Sequence, residues 1–204
     1  MKKIKLTLLS IGAMFLMIAA TPDNSGYKVG DKAKEFKLKN VDGKMVSLAD
    51  YKTAKGYIVV FTCNHCPYAK AYEQRIMDLD KKYASQGYPV IAICSNDKTS
   101  VPEDSPENMA ARAKDKHYTF PYLYDESQDI AKTYGALRTP HVFILTKSGG
   151  DNIVKYIGAI DDNSDDASAV KVKYVENALT EIMAGKPVTT STTKAIGCGI
   201  KWKS

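Results

Sequence analysis

Ile58-Val59-Val60-Phe61-Thr62-Cys63-Asn64-His65-Cys66-Pro67 is the stretch on which the reading of the fold turns. Ile58 to Phe61 is a continuous apolar, mostly β-branched run that suits a strand buried on both faces. It ends directly before Thr62 and Cys63. From Pro67 to Gln86 the pattern is helical: Tyr72, Ile76, Leu79 and Tyr83 recur at spacings of three and four, and Gly87 supplies the stop. A buried strand therefore hands over to a helix across the two cysteines, which predicts Cys63 at the helix N-terminus and Cys66 one turn in. Unpaired N–H groups and the helix dipole favour an anion there. The Cys63 thiolate is accordingly expected to form below the ~8.5 of a free thiol. His65, if protonated, adds positive charge beside that thiolate and favours the dithiol over the disulfide.

Working outward, Phe36-Lys37-Leu38 and Met45-Val46-Ser47-Leu48 flank Asp42-Gly43, the turn dipeptide of a hairpin. Val90 to Cys94 is a second buried strand. A polar loop, Asn96 to Glu107, leads into a short helix through Met109, Ala110 and Ala113. Tyr122-Leu123-Tyr124 is a third strand, Ser127 to Tyr134 a helix closed by Gly135, and Val142–Leu145 with Ile153–Ile157 a second hairpin. A last helix is expected from about Ser168 to Ala184, followed by a tail without periodicity. Two β-α-β steps, a hairpin and a terminal helix predict an α/β architecture: a mixed sheet flanked by helices, with a hairpin in front and a helical insertion in the middle.

The ends carry different signals. Lys2, Lys3 and Lys5 precede an uncharged run from Leu6 to Ala20, too short for a comfortable membrane span, so residues 1–20 read as a cleaved export signal. An uncleaved anchor is the alternative, and a membrane association would follow only from it. Removing that segment lowers the net charge from +6 to +3, so the basic balance is mostly targeting. The remaining charges are interleaved, with no footprint for nucleic acid. About 184 residues remain, enough for one domain, expected over 27–186, with 187–204 as a tail containing Cys198.

Four cysteines are too sparse for a staple-dependent fold, so function is the better reason for at least two of them. A zinc site would need four ligands, and His117, His141 and Cys198 are scattered. No metal and no cofactor is expected. Cys94, ending an apolar strand, reads as a small buried hydrophobe. Pro140 opens a strongly apolar strand; a cis Thr139–Pro140 bond would present the Thr139 backbone to an extended substrate segment as if adding a strand. Cys198 sits between Gly197 and Gly199, with Trp202 as an apolar anchor on which the tail can fold back. It is a candidate third redox cysteine, pairing with Cys63 and Cys66 or with a partner protein.

Phe61-Thr62-Cys63-Asn64-His65-Cys66-Pro67-Tyr68-Ala69 and the segment Tyr134 to Phe143 resemble the redoxin, or AhpC/TSA-type, branch of the thioredoxin-like superfamily, near the TlpA/ResA-like thiol-disulfide oxidoreductases. The resemblance runs from about Val29 to Gly185. It implies a thioredoxin-like fold, Cys63 as nucleophile, Cys66 as resolving cysteine, Pro140 as the cis proline opposite them, and antioxidant or disulfide-exchange activity. The expected partners are cysteine-containing exported proteins and a membrane or periplasmic redox protein, in the periplasm or outside the cell. Thr62 stands where a tryptophan usually does, Tyr57 where thioredoxins bury an acid, and Ala69 where ResA-like proteins carry a glutamate. His65, Glu73 and Asp125 are the candidates to move the proton instead, and Arg138 a candidate to steer acidic segments. Two alternatives stay open. A peroxiredoxin-like peroxidase would find Val59, Cys63 and Pro140 where it needs proline, a hydroxyl and arginine. A copper-binding protein would use Cys63, Cys66 and His141.

Overall fold

The computed structural model describes residues 26–204; the expected export signal lies outside the described residues. In chain order these form β1 (Lys32–Ala33), β2 (Lys37–Asn40), β3 (Met45–Ser47), β4 (Gly56–Phe61), α1 (Pro67–Tyr83), β5 (Val90–Cys94), α2 (Pro106–Asp115), β6 (Tyr122–Tyr124), α3 (Asp129–Tyr134), β7 (Arg138–Thr139), β8 (His141–Ser148), β9 (Asp151–Gly158), α4 (Tyr174–Met183) and β10 (Cys198–Gly199). Eight strands make one mixed sheet, in the order β1-β9-β8-β4-β5-β6-β2-β3. β4, β5 and β6 run parallel, and β4 also pairs antiparallel with β8.

β4 lies mid-sheet with both faces covered, which is why its sequence is apolar at every position instead of alternating. Ile58 and Val60 face one core with Tyr72, Ile76, Leu79 and Tyr83 of α1 and Val175, Ala178 and Leu179 of α4. Tyr57, Val59 and Phe61 face the other with Leu48, Ala131 and Tyr134. Burying the α1 stripe contributes roughly 1.5–3 kcal/mol per large aliphatic side chain before chain entropy is set against it. Among the described residues, no helix is long and apolar enough to cross a membrane.

One expectation is met with an added pairing, and two need correction. The front hairpin forms, with Gly43 at φ +85°, but β2 joins the far edge of the sheet through β6, pairing Lys39 with Tyr124. The last helix starts only at Tyr174, because Asp162 binds the Lys171 N–H with its carboxylate and gives its own N–H to the Val172 carbonyl, drawing that segment out of helix. Residues 187–204, read as a tail beyond the domain, lie along it. Thr192 bridges to Ile157, and β10 pairs with β7 in a small second sheet. The apolar anchor of that tail is Ile200, at 6% exposure, and not Trp202, at 40%. Ile200 joins the second core, the cluster that also holds Phe61 and Ala136.

Candidate active site

Thr62 extends the β4–β5 ladder one step, its N–H donating to Ile93 O at 2.9 Å. The chain then turns through Cys63, Asn64 and His65. Helix α1 begins at Pro67, with Cys66 as its N-cap, so Cys63 precedes the helix rather than opening it. Pro67 sits where the helix has no use for an N–H. Cys63 is 4% exposed and Cys66 fully buried.

Thr139 organises both sulfurs. The Thr139–Pro140 bond is cis, Thr139 Oγ1 lies 3.2 Å from the Cys63 sulfur, and the Thr139 carbonyl oxygen lies 3.2 Å from the Cys66 sulfur. The two thiols also share a proton, and the charge falls on the other sulfur from the one expected. Cys66 is pulled down to about 4, first by the hydrogen bond from Cys63 and further by Cys198 and the first-turn amide of Ala69. Cys63 is pushed up by the hydrogen bond it gives, then by burial and by the negative charge of Asp104. The helix end does favour an anion, but it acts on its own cap residue.

Asp104, fully buried, is the residue that sequence reading missed. It sits in the polar loop before α2 and holds the whole Cys63–Cys66 turn. Its Oδ1 accepts from the N–H of Asn64 at 2.6 Å and of His65 at 3.1 Å, and its Oδ2 faces His65 Nδ1 at 2.6 Å. A carboxylate in that position fixes the hydrogen on Nδ1 of His65. Asn96 Nδ2 donates to the same Oδ2 at 2.7 Å, while Asn96 Oδ1 accepts from the Lys201 N–H of the tail at 2.8 Å. Asn64 is buried as well, donating to Glu103 O and accepting from Tyr122 OH. A lone aspartate in a loop carries no pattern that would have singled it out.

The other candidates separate. Glu73 is forked by Arg112 at 2.7 and 2.9 Å and bound by Tyr118 OH at 2.6 Å. With Cys63, Thr62 and Ala69 it lines a cavity of about 10 Å³, near the lower limit for one water. Asp125 serves elsewhere, accepting from Ser95 Oγ and the Ala131 N–H. Tyr57 donates to Leu48 O in the second core. Arg138 is bound to the Gly197 carbonyl, so it holds the chain's own tail. Cys94 is enclosed, and burial raises its thiol. His141 is packed on Phe143, its Nδ1 accepting from the Leu137 N–H at 3.4 Å, and burial lowers it to about 4. Of the metal-capable groups among the described residues, Cys63 stands with His65 and Asp104, not with His141. Two of those three are already hydrogen-bonded to each other, and the carboxylate is saturated by amides, so the set is arranged as a proton-holding cluster rather than an open cation site.

Cys198 is brought to the pair. It lies directly across from Thr139 in the β10–β7 ladder, against the Cys66 sulfur, and its thiol is raised to about 11 by burial and by the Cys66 charge.

A mixed sheet with parallel β4 and β5, a dithiol where β4 meets α1 and a cis proline facing it define a thioredoxin-like protein. The AhpC/TSA family model matches residues 29–157, and the chain belongs to that family. A crystal structure of a conserved protein from Geobacillus kaustophilus is 39% identical, with a TM-score of 0.79, covering 86% of this chain and 93% of that one. The pneumococcal exposed lipoprotein thioredoxin of Streptococcus pneumoniae strain TIGR4, 20% identical with a TM-score of 0.54, covers 72% of this chain and 99% of its own, and shares the fold. The thiol-disulfide oxidoreductase ResA of Bacillus thuringiensis subsp. konkukian is 28% identical over 124 residues, 60% of this chain. The match spans 66% of that relative's length, just under two thirds.

Proposed function

We propose that this protein is a thiol-disulfide oxidoreductase acting on cysteine-containing proteins through Cys63 and Cys66. The observation that carries the reading is geometric: two sulfurs at the turn between β4 and α1, each 3.2 Å from an oxygen of Thr139, beside the cis Thr139–Pro140 bond. Cys63, the less covered sulfur of the two, is the attacking group. As a substrate disulfide approaches, the Cys63 proton passes to the Cys66 anion, and the Cys63 thiolate displaces one substrate sulfur as a thiolate. Cys66 then attacks Cys63, releasing the second substrate thiol and leaving the Cys63–Cys66 disulfide. The substrate gains the two electrons that the protein dithiol loses. His65 and Glu73 border this path and are the groups placed to exchange protons with solvent.

The resemblance to ResA supports this reading, and the Lys2–Ala20 pattern supports action on exported proteins in the periplasm or outside the cell. Insulin reduction by the dithiothreitol-charged protein tests it. Cys63→Ser should lose at least about 100-fold in rate, because the sulfur that attacks the substrate disulfide is gone. Wild-type speed in that variant refutes the proposal. The reduction potential then gives the direction of electron flow: about −270 mV marks a reductase and about −120 mV an oxidase.

A further inference from the structure

Cys63 and Cys66 have almost no contact with solvent, whereas Cys198 is only partly buried. The strand carrying Cys198 lies along Thr139, the edge that an incoming extended substrate would otherwise pair with. The close approach is built into the sequence. A Cβ at Gly197 would stand 2.1 Å from the Thr139 carbonyl oxygen and 2.6 Å from its carbon, so only glycine lets the tail lie this near. The segment is fixed on both sides of the cysteine. Arg138 holds the Gly197 carbonyl at 3.1 Å, the Ile200 N–H donates to Leu137 O at 3.2 Å, and Lys201 O accepts from Gln128 Nε2 at 2.8 Å and from the Asp97 N–H at 2.9 Å.

We propose that Cys198 is a third redox residue of this centre, the solvent-side thiol that exchanges with the buried pair by forming a Cys66–Cys198 disulfide. The inference rests on the dithiol reading and adds a route into it. With the Cys63–Cys66 disulfide formed, the Cys198 thiolate attacks the Cys66 sulfur. The Cys66–Cys198 bond forms, the Cys63–Cys66 bond breaks, and Cys63 leaves as a thiolate that takes up the proton Cys198 lost. No electrons enter or leave in that step. A protein dithiol then attacks the partly exposed Cys198 sulfur, breaking the Cys66–Cys198 bond with Cys66 leaving as its thiol, and the second substrate sulfur attacks the first, forming the substrate disulfide and releasing Cys198 as a thiol. The net result oxidises the substrate and reduces the protein, and the reverse order reduces a substrate disulfide. The tail strand is thereby both the occupant of the substrate edge and the carrier of equivalents to it.

The full chain carrying Cys63→Ser, oxidised with diamide, alkylated and digested, tests this by mass spectrometry. A Cys66–Cys198 linked peptide pair in the majority of chains is expected, and it should vanish in Cys63→Ser with Cys198→Ser. Wild type poised in glutathione buffer at the midpoint of its transition provides a second reading that does not depend on the variant's folding; there the Cys66–Cys198 and Cys63–Cys66 bonds should coexist. If wild type forms Cys63–Cys66 and reduces insulin while neither sample yields Cys66–Cys198, this inference is overturned and the dithiol reading stands. A chain that forms no Cys63–Cys66 disulfide and reduces no insulin removes both.

Discussion

Gly197→Ala separates a tail that is merely nearby from one that closes the site. The added Cβ would meet Thr139 O at 2.1 Å, Thr139 C at 2.6 Å and Pro140 N at 3.1 Å, where ordinary contact begins at 3.4 Å. All three atoms are backbone, so no side chain can swing aside. The tail must retreat by about 1.3 Å at the first contact, which breaks the Cys198–Thr139 pairing and the bond from Arg138 to the Gly197 carbonyl. Overpacking of this kind costs about 1–3 kcal/mol, and each net hydrogen bond lost adds about 0.5–1.5. Against this, the burial of Ile200 holds the tail by roughly 1.5–3 kcal/mol. A shift of about 2 kcal/mol toward the undocked state multiplies its population about 30-fold. Iodoacetamide labelling of Cys66 in the reduced protein, quenched at intervals and read by mass spectrometry, should accelerate by that factor, because the fully buried sulfur reacts only when the tail opens. Gly199→Ala is the matched control: its Cβ would be 4.0 Å from the nearest atom, Leu137 O, and the labelling rate should stay at the wild-type value. Equal rates in the two variants would show that the tail does not shield Cys66.

Three further outcomes are expected. Asp104→Asn sets an amide against two backbone N–H donors, His65 and Asn96, and should destabilise the fold by about 3–5 kcal/mol in urea unfolding; a loss under about 1 kcal/mol would contradict its role as the clamp of the turn. In the reduced protein, thiolate absorbance at 240 nm should persist below neutral pH and fade with a midpoint near 4, and a midpoint near the free-thiol value would exclude the shared-proton arrangement. His141, neutral and buried, takes up a proton near 6.5 when unfolded but only at about 4 when folded. Its contribution is therefore complete above pH 6.5 and declines by roughly 3 kcal/mol as pH falls to 4. His141→Phe should flatten that part of the urea-midpoint profile relative to wild type, whereas parallel profiles would assign the acid sensitivity to other groups.

The parts of the fold that sequence made legible are those where one local pattern decides the outcome. Ile58–Phe61 and Val90–Cys94 are apolar at every position because both faces are covered, and the α1 stripe at Tyr72, Ile76, Leu79 and Tyr83 is an ordinary helical period. The family resemblance also brought out the Thr139–Pro140 bond, which is cis, and Thr139 meets both cysteines across a gap of more than seventy residues. What escaped depends on approach between distant segments. Asp104 gains its importance only when β5 and α2 deliver a polar loop onto the Cys63–Cys66 turn, and any loop aspartate looks the same beforehand. The helical pattern does place the start of α1 at Pro67, but which sulfur gives up the shared proton depends first on the hydrogen bond between Cys63 and Cys66, which no periodicity shows. The tail left one clue, glycines on both sides of Cys198, and of the two only Gly197 is sterically required.

Asn96 has a consequence of its own. Its carboxamide spans two parts of the molecule, with its oxygen committed to the tail at Lys201 and its nitrogen to Asp104 beneath His65. Neither end can rotate without setting donor against donor on one side and acceptor against acceptor on the other. Departure of the C-terminal strand therefore frees this side chain to turn and slackens the grip on the histidine in the same event. Opening the lid and unclamping the loop beneath it become a single mechanical act.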